Sequence, residues 1–270
     1  WLYFLDLGLG SMLTQRVSKL YGKKKFDKLF IESISGIVLF IISSFMFVIL
    51  GFLLSKFIPS IFDLNDIESK KIIPPLLLVI LASGLNFINT SLKACLNGLL
   101  MPLYSSIITA SSSLIGFLVT IILVKNSYEL LSIGYGLLLS SIIAFILLFY
   151  FFLIKTAKFY NKKIYDTNSI KSYLKLSPIF ILSRFSKAAS KDVDLLLITL
   201  LINPEITVIF MTAKRVFEIM FNGFNILSNS LLAPLSNFGG EHGFLQQKKI
   251  IIKIFKIFFS VSILFYFFLS

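Results

Sequence analysis

Long apolar runs alternate along the chain with short clusters of lysine and turn-forming residues. A helix needs about 20 mostly apolar residues to cross roughly 30 Å of hydrocarbon at about 1.5 Å per residue. Eight runs of that length stand out, at residues 1–19, 31–57, 72–97, 101–124, 129–154, 176–203, 205–235 and 250–270, here lettered A to H. The pattern predicts an all-α polytopic membrane protein. Trp1 and Ser270 both fall within apolar runs, so the chain reads as a fragment of a longer transporter-sized protein, covering about eight transmembrane helices.

The basic residues set the orientation, because cytoplasmic loops of membrane proteins carry excess Lys and Arg. The A–B connection holds Arg16, Lys19, Lys23, Lys24, Lys25 and Lys28. The E–F connection holds Lys155, Lys158, Lys162, Lys163, Lys171 and Lys175, and Lys248, Lys249, Lys253 and Lys256 follow segment G. Strict alternation of eight spans puts all three on one side. The other side mixes Lys56, Lys70, Lys71 and Lys125 with Asp63, Asp66, Glu68, Glu129 and Glu205. Segment A therefore ends in the cytoplasm. The long polar stretch 158–174 divides the chain into part of an N-terminal lobe, 1–157, and part of a C-terminal lobe, 175–270.

Composition agrees: 57% of residues are hydrophobic and 14% charged, against about a quarter charged in soluble domains. The net charge of +13 follows from lysine-rich loops and does not imply nucleic acid. The single cysteine, Cys95, excludes an internal disulfide. Asp6-Leu7-Gly8-Leu9-Gly10 lacks the third glycine and the preceding strand of a dinucleotide loop, so Gly8 and Gly10 are read as close-packing positions. Pro74, Pro75 and Pro178 are read as first-turn prolines. Asn89-Thr90-Ser91 matches a glycosylation sequon, but inside a span it carries no meaning. The lone histidine, His242, is read as solvated in a polar loop.

Ionisable residues inside spans are costly and usually face a bundle interior or a hydrated cavity. Here they recur at helical spacing. Segment F carries Ser183, Arg184, Lys187, Ser190, Lys191 and Asp194 on one face, opposite Ile179, Ile181, Leu182 and Phe185. Segment G carries Lys214, Glu218, Asn222, Asn225 and Asn229, flanked by Arg215. Segment C carries Ser83, Asn86, Thr90, Lys93 and Asn97. Three such faces predict a shared polar compartment. The competing reading is local pairing, Lys214 with Glu218 or Lys191 with Asp194.

Seven basic candidates (Arg16, Lys93, Arg184, Lys187, Lys191, Lys214, Arg215) face four acidic ones (Asp6, Asp192, Asp194, Glu218). An excess of buried positive charge is costly unless an anion fills it, and phosphate is the common biological choice. No metal-ligand cluster and no Ser/His/Asp set is present in the sequence, so neither a cofactor nor enzymatic chemistry is expected.

Leu5-Asp6-Leu7-Gly8-Leu9-Gly10 followed by Leu13-Thr14-Gln15-Arg16-Val17 and Tyr21-Gly22-Lys23 resembles the second helix of polysaccharide flippases, where a "DLGLG…LTR" run ends in a basic loop. Asp192-Val193-Asp194-Leu195-Leu196-Leu197 is similar to the "D-x-LLL" of their seventh helix. Met211-Thr212-Ala213-Lys214-Arg215-Val216 and Ala233-Pro234-Leu235-Ser236 are similar to the two ends of the eighth, except that Phe210 or Met211 stands where the family often has Tyr. The family is the MOP flippase superfamily, in its polysaccharide and O-antigen transporter branch.

The resemblance implies a MATE-like two-lobe bundle with A to H as helices two to nine. It implies a flippase for undecaprenyl-diphosphate-linked oligosaccharide, an O-antigen, capsule or exopolysaccharide unit, in the bacterial inner membrane. By the same resemblance Arg16 and Arg215 match diphosphate-binding lumen positions. Lys93, Arg184, Lys187, Lys191, Lys214, Asn222 and Asn225 complete the substrate-facing set from the stripes. Alternating access driven by a proton or sodium ion would use Asp194 or Glu218. The rival readings are a peptidoglycan lipid-precursor flippase, a multidrug exporter of the same superfamily and an integral-membrane polysaccharide-biosynthesis enzyme.

Overall fold

A computed structural model describes residues 8–61, 65–157, 170–173, 182, 193–194, 197–198, 207, 210–212, 214–215 and 230–269. Among the described residues there is helix and no strand. The elements are α1 (Leu9–Gly22), α2 (Phe26–Ser55), α3 (Ile58–Ile61), α4 (Asp66–Gly98), α5 (Pro102–Lys125), α6 (Leu131–Thr156) and α7 (Phe244–Leu269). Residues 230–242 form a further helical stretch. Among the described residues, four helices are long and apolar enough to cross a membrane: Phe26–Ser55, Ser69–Gly98, Pro102–Lys125 and Leu131–Thr156. The protein is a multi-pass membrane protein. Most of segments F and G lies outside the described residues.

Helix α4 is the central pillar, packed against α1, α2, α5 and α6. Its Phe87, Leu92, Ala94, Cys95 and Leu96, with Leu99 just beyond its end, meet Leu13 and Val17 of α1, Leu29 and Phe40 of α2, and Leu148 and Phe152 of α6 in one core. Because lipid is as apolar as these side chains, burial alone does not hold helices together in a membrane, and close backbone approach and interhelical hydrogen bonds matter more. Both are present. The Thr14 hydroxyl donates to the Ala94 carbonyl at 3.1 Å, Ser44 to Gly84 at 2.7 Å, and the Asn89 amide to Ser141 at 2.9 Å, tying α1, α2 and α6 to α4. Between α5 and α6, a Cβ on Gly116 would stand 2.5 Å from the Gly136 carbonyl, and one on Gly136 2.7 Å from the Gly116 carbonyl, so both positions require glycine.

The outer faces of α2, α5 and α6 expose Phe45, Met46, Leu114, Phe117, Ile146 and Tyr150. A contiguous apolar surface of this kind fits lipid, not water.

Two expectations shift. Pro74 and Pro75 lie two turns inside α4, not at its start, because the helix already begins at Asp66. They withdraw the N–H groups that the carbonyls of Lys70 and Lys71 would use, near a polar end where both lysines are accessible. Gly8 caps α1 with φ 69°, a left-handed conformation that glycine tolerates, so its role is conformational as the helix starts at Leu9. Pro178 lies outside the described residues.

Packing gathers the basic connections at one end. Gly98 at the end of α4 lies against Val17 of α1, Tyr104 at the start of α5 stacks near Phe151 of α6, and the Lys155 ammonium sits 5.8 Å from the Tyr104 ring. Residues 230–242 join the same end through Gly22 and Lys19.

Candidate functional site: a polar strip and two ion pairs

Neighbouring helices cover most of the lower half of α4. From Asn86 to Leu99, only Asn86, Ile88, Thr90, Lys93 and Asn97 stay accessible. Apart from Ile88 these are the polar residues of the segment C stripe, and at 100° per residue they fall within an arc of about 60°. A lipid-facing strip would be apolar, as it is on α2, α5 and α6.

Its residues are held in different ways. Asn97 accepts a hydrogen bond from the Ser105 hydroxyl at 2.6 Å, which joins the ends of α4 and α5. Thr90 donates back to the Asn86 carbonyl at 2.9 Å. Among the described residues, Lys93 has neither a hydrogen-bond nor an ion-pair partner. A half-buried ammonium with no counter-charge is a group ready for an anion.

Arg16 projects from α1 beside this region. Its Nη1 donates to Glu32 Oε1 of α2 at 2.6 Å and to the Ser172 hydroxyl at 2.6 Å. The guanidinium also lies 4.2 Å from the centre of the Tyr173 ring, in cation–π contact. Burial above all, and then the Glu32 charge, pushes the Tyr173 phenol well above its ordinary range, so it stays neutral. Arg16 was read from the sequence as a cargo-facing residue; in this structure it joins α1, α2 and residues 170–173. The sequence reading missed Glu32, Ser172 and Tyr173. The available signal was Glu32 itself, an acidic residue within the apolar face of segment B.

The second pair lies in the C-terminal half. Lys214 Nζ reaches both carboxylate oxygens of Asp194, at 2.6 and 2.8 Å. A lysine from segment G thus pairs with an aspartate from segment F, while Glu218 and Lys191, the local partners weighed above, lie outside the described residues. Arg215 is exposed next to it. Arg184, Lys187, Lys191, Glu218, Asn222 and Asn225 lie outside the described residues. No hydrogen bond or ion pair connects Lys93 with either pair. His242 is exposed as expected and also stacks on Phe238 at 4.2 Å between ring centres.

A family model described as MatE matches residues 1–122. The chain has the MATE fold. It superposes on a crystal structure of a MATE protein in the straight conformation with a TM-score of 0.77, at 16% identity, over 97% of this chain and 60% of that one. It superposes equally well on a MOP superfamily transporter from Pyrococcus furiosus, described as having a binding pocket of reverse polarity suggesting a different function (TM-score 0.75, 14% identity, 97% and 59% covered). A MATE protein in complex with Br-NRF gives a TM-score of 0.72 at 15% identity, with 97% and 63% covered. The chain therefore spans about three fifths of the length of the MATE-fold structures that it matches. No curated protein matches it.

Proposed function

We propose that the chain is part of an alternating-access transporter of the MOP superfamily that flips a lipid-linked, diphosphate-bearing oligosaccharide across the bacterial inner membrane. The observation that carries this reading is the polar α4 strip with Lys93, an ammonium without a counter-charge among the described residues. An anionic head group supplies the missing charge while the isoprenoid tail stays in the bilayer. Lys214 and Arg215 extend the cationic surface into the second half, with Arg184, Lys187, Lys191, Asn222 and Asn225 as further contacts. Arg16 joins them when its present partners release it.

Asp194 and Lys214 give this cargo an ion partner. A phosphate oxygen on Lys214 competes with Asp194 for the ammonium, and a proton or sodium ion then helps to offset the carboxylate. Each ligand thereby favours the other, since coupling between sites is reciprocal. Glu218 is the second carboxylate available for this role.

The test is flipping of an undecaprenyl-diphosphate-linked sugar by the full-length protein in proteoliposomes. Protein-dependent flipping that falls at least tenfold in Lys93→Gln supports the reading, and absence of flipping by well-folded protein refutes it. A second reading, a multidrug exporter, is favoured by the MatE match and by the MATE proteins of the same fold. Ion-driven uptake of a cationic dye in the same vesicles, with no lipid flipping, would decide for it.

A further inference from the structure

We infer that the lysine-rich end carries a two-part latch that holds the halves of the chain together in this conformation and must break for that end to open. The first part is ionic. Arg16 is fixed by Glu32 within the N-terminal half and reaches across to Ser172 and Tyr173, the residues that lead into the C-terminal half.

The second part is backbone against backbone. The Ser18 hydroxyl, fully buried, donates to the Ala233 carbonyl at 2.6 Å. Four residues on, Gly22 lies so close to Asn237 that a Cβ would collide with the Asn237 carbonyl. A Cβ on Gly240 would stand 2.5 Å from the Lys19 carbonyl and 3.3 Å from the Lys23 nitrogen. With its amide turned to satisfy both neighbours, Asn237 accepts from the Gly22 N–H at 3.1 Å and donates to Glu241 at 3.2 Å.

Every one of these contacts lies on the last two turns of α1. Residues 230–242 are seated on that helix end through two glycines, with hydrogen bonds on both sides of the seat. Such a contact is two-state in character. Backbone atoms at this separation cannot slide past each other by side-chain adjustment, so the halves are either seated or apart. Arg16 adds a charged clamp whose release requires a replacement partner for the guanidinium. Unlike the cargo assignment, the latch depends on no substrate. It rests only on the part of the transport reading that has the two halves move.

The test is a thiol-accessibility measurement on the full-length protein in native membrane vesicles, with Cys95→Ala as background and Ala233→Cys as the reporter, a buried position at the seat whose backbone carbonyl still accepts from Ser18. N-ethylmaleimide should label the reporter slowly, because only the open form exposes it. Adding Gly240→Ala or Arg16→Gln should each raise the rate about tenfold by shifting the population toward that form. Both variants are checked for a monodisperse peak after extraction, and Arg16→Gln stands alone if the glycine variant fails to fold. Fast labelling of the reporter in the parent overturns the latch, and so does an unchanged rate in a folded variant. Neither result bears on which lipid is flipped, so failure here is distinct from failure of the cargo assignment.

Discussion

Two ion pairs among the described residues look alike in length and differ in the exposure of their carboxylates. Arg16–Glu32 and Lys214–Asp194 both measure 2.6 Å. In the first, the carboxylate side chain is only 11% exposed, and the arginine also bonds a hydroxyl and lies over an aromatic ring. In the second, the aspartate side chain is 41% exposed. A carboxylate enclosed by protein and shared among three segments acts as structure. One that still meets solvent can exchange its counter-ion with little reorganisation. The first pair therefore fits the proposed latch, and the second fits the proposed exchange of cargo and ion.

The largest effect should come from removing the enclosed carboxylate. Glu32→Ala leaves the Arg16 guanidinium without its counter-charge, and we expect a loss of about 3 kcal/mol. Unfolding in detergent can be followed by exposure of the buried Cys95 thiol, and a melting curve unchanged from wild type would place Glu32 outside the structural class. Asp194→Asn should cost less than about 1 kcal/mol in the same assay, because Asp194 already meets solvent and the amide oxygen still accepts from Lys214. Its effect should appear as loss of ion-gradient dependence in transport.

Salt sharpens the contrast. Raising ionic strength from about 0.1 M to about 1 M shortens the screening length from about 10 to about 3 Å. The stability difference between wild type and Asp194→Asn should vanish, while that between wild type and Glu32→Ala should persist. The smallest effect is expected at Lys155. Its ammonium, 5.8 Å from the Tyr104 ring, is worth at most about 0.5–1 kcal/mol at an exposed site. Lys155→Met should move the melting curve less than either acidic variant.

Much of the N-terminal half was legible in the sequence. Helix positions follow from apolar run length, and α5 and α6 differ from segments D and E by one or two residues. The α4 strip was legible because its polar residues recur at spacings of three and four, a signal independent of tertiary packing. The ion pairs were not. Local rules point to partners one turn apart and do not suggest the bond between Lys214 and Asp194 twenty residues away. Arg16 finds Glu32 sixteen residues on and Ser172 beyond four further helices. Such partners are chosen by which helix ends meet, and no periodicity encodes that. The start of α4 was missed because Asp66-Ile67-Glu68-Ser69-Lys70-Lys71 is too polar for a span, yet helix propagates through it into the apolar run.

The central claim is that the α4 strip is an anion site. It is tested most directly by titrating the purified full-length protein with a fluorescent isoprenyl diphosphate, in wild type and in Lys93→Gln. The account predicts saturable binding that weakens about tenfold in the variant, equivalent to about 1.4 kcal/mol, and that an isoprenyl alcohol does not compete for. Equal affinity of the two proteins, or displacement of the probe by the alcohol, would contradict it.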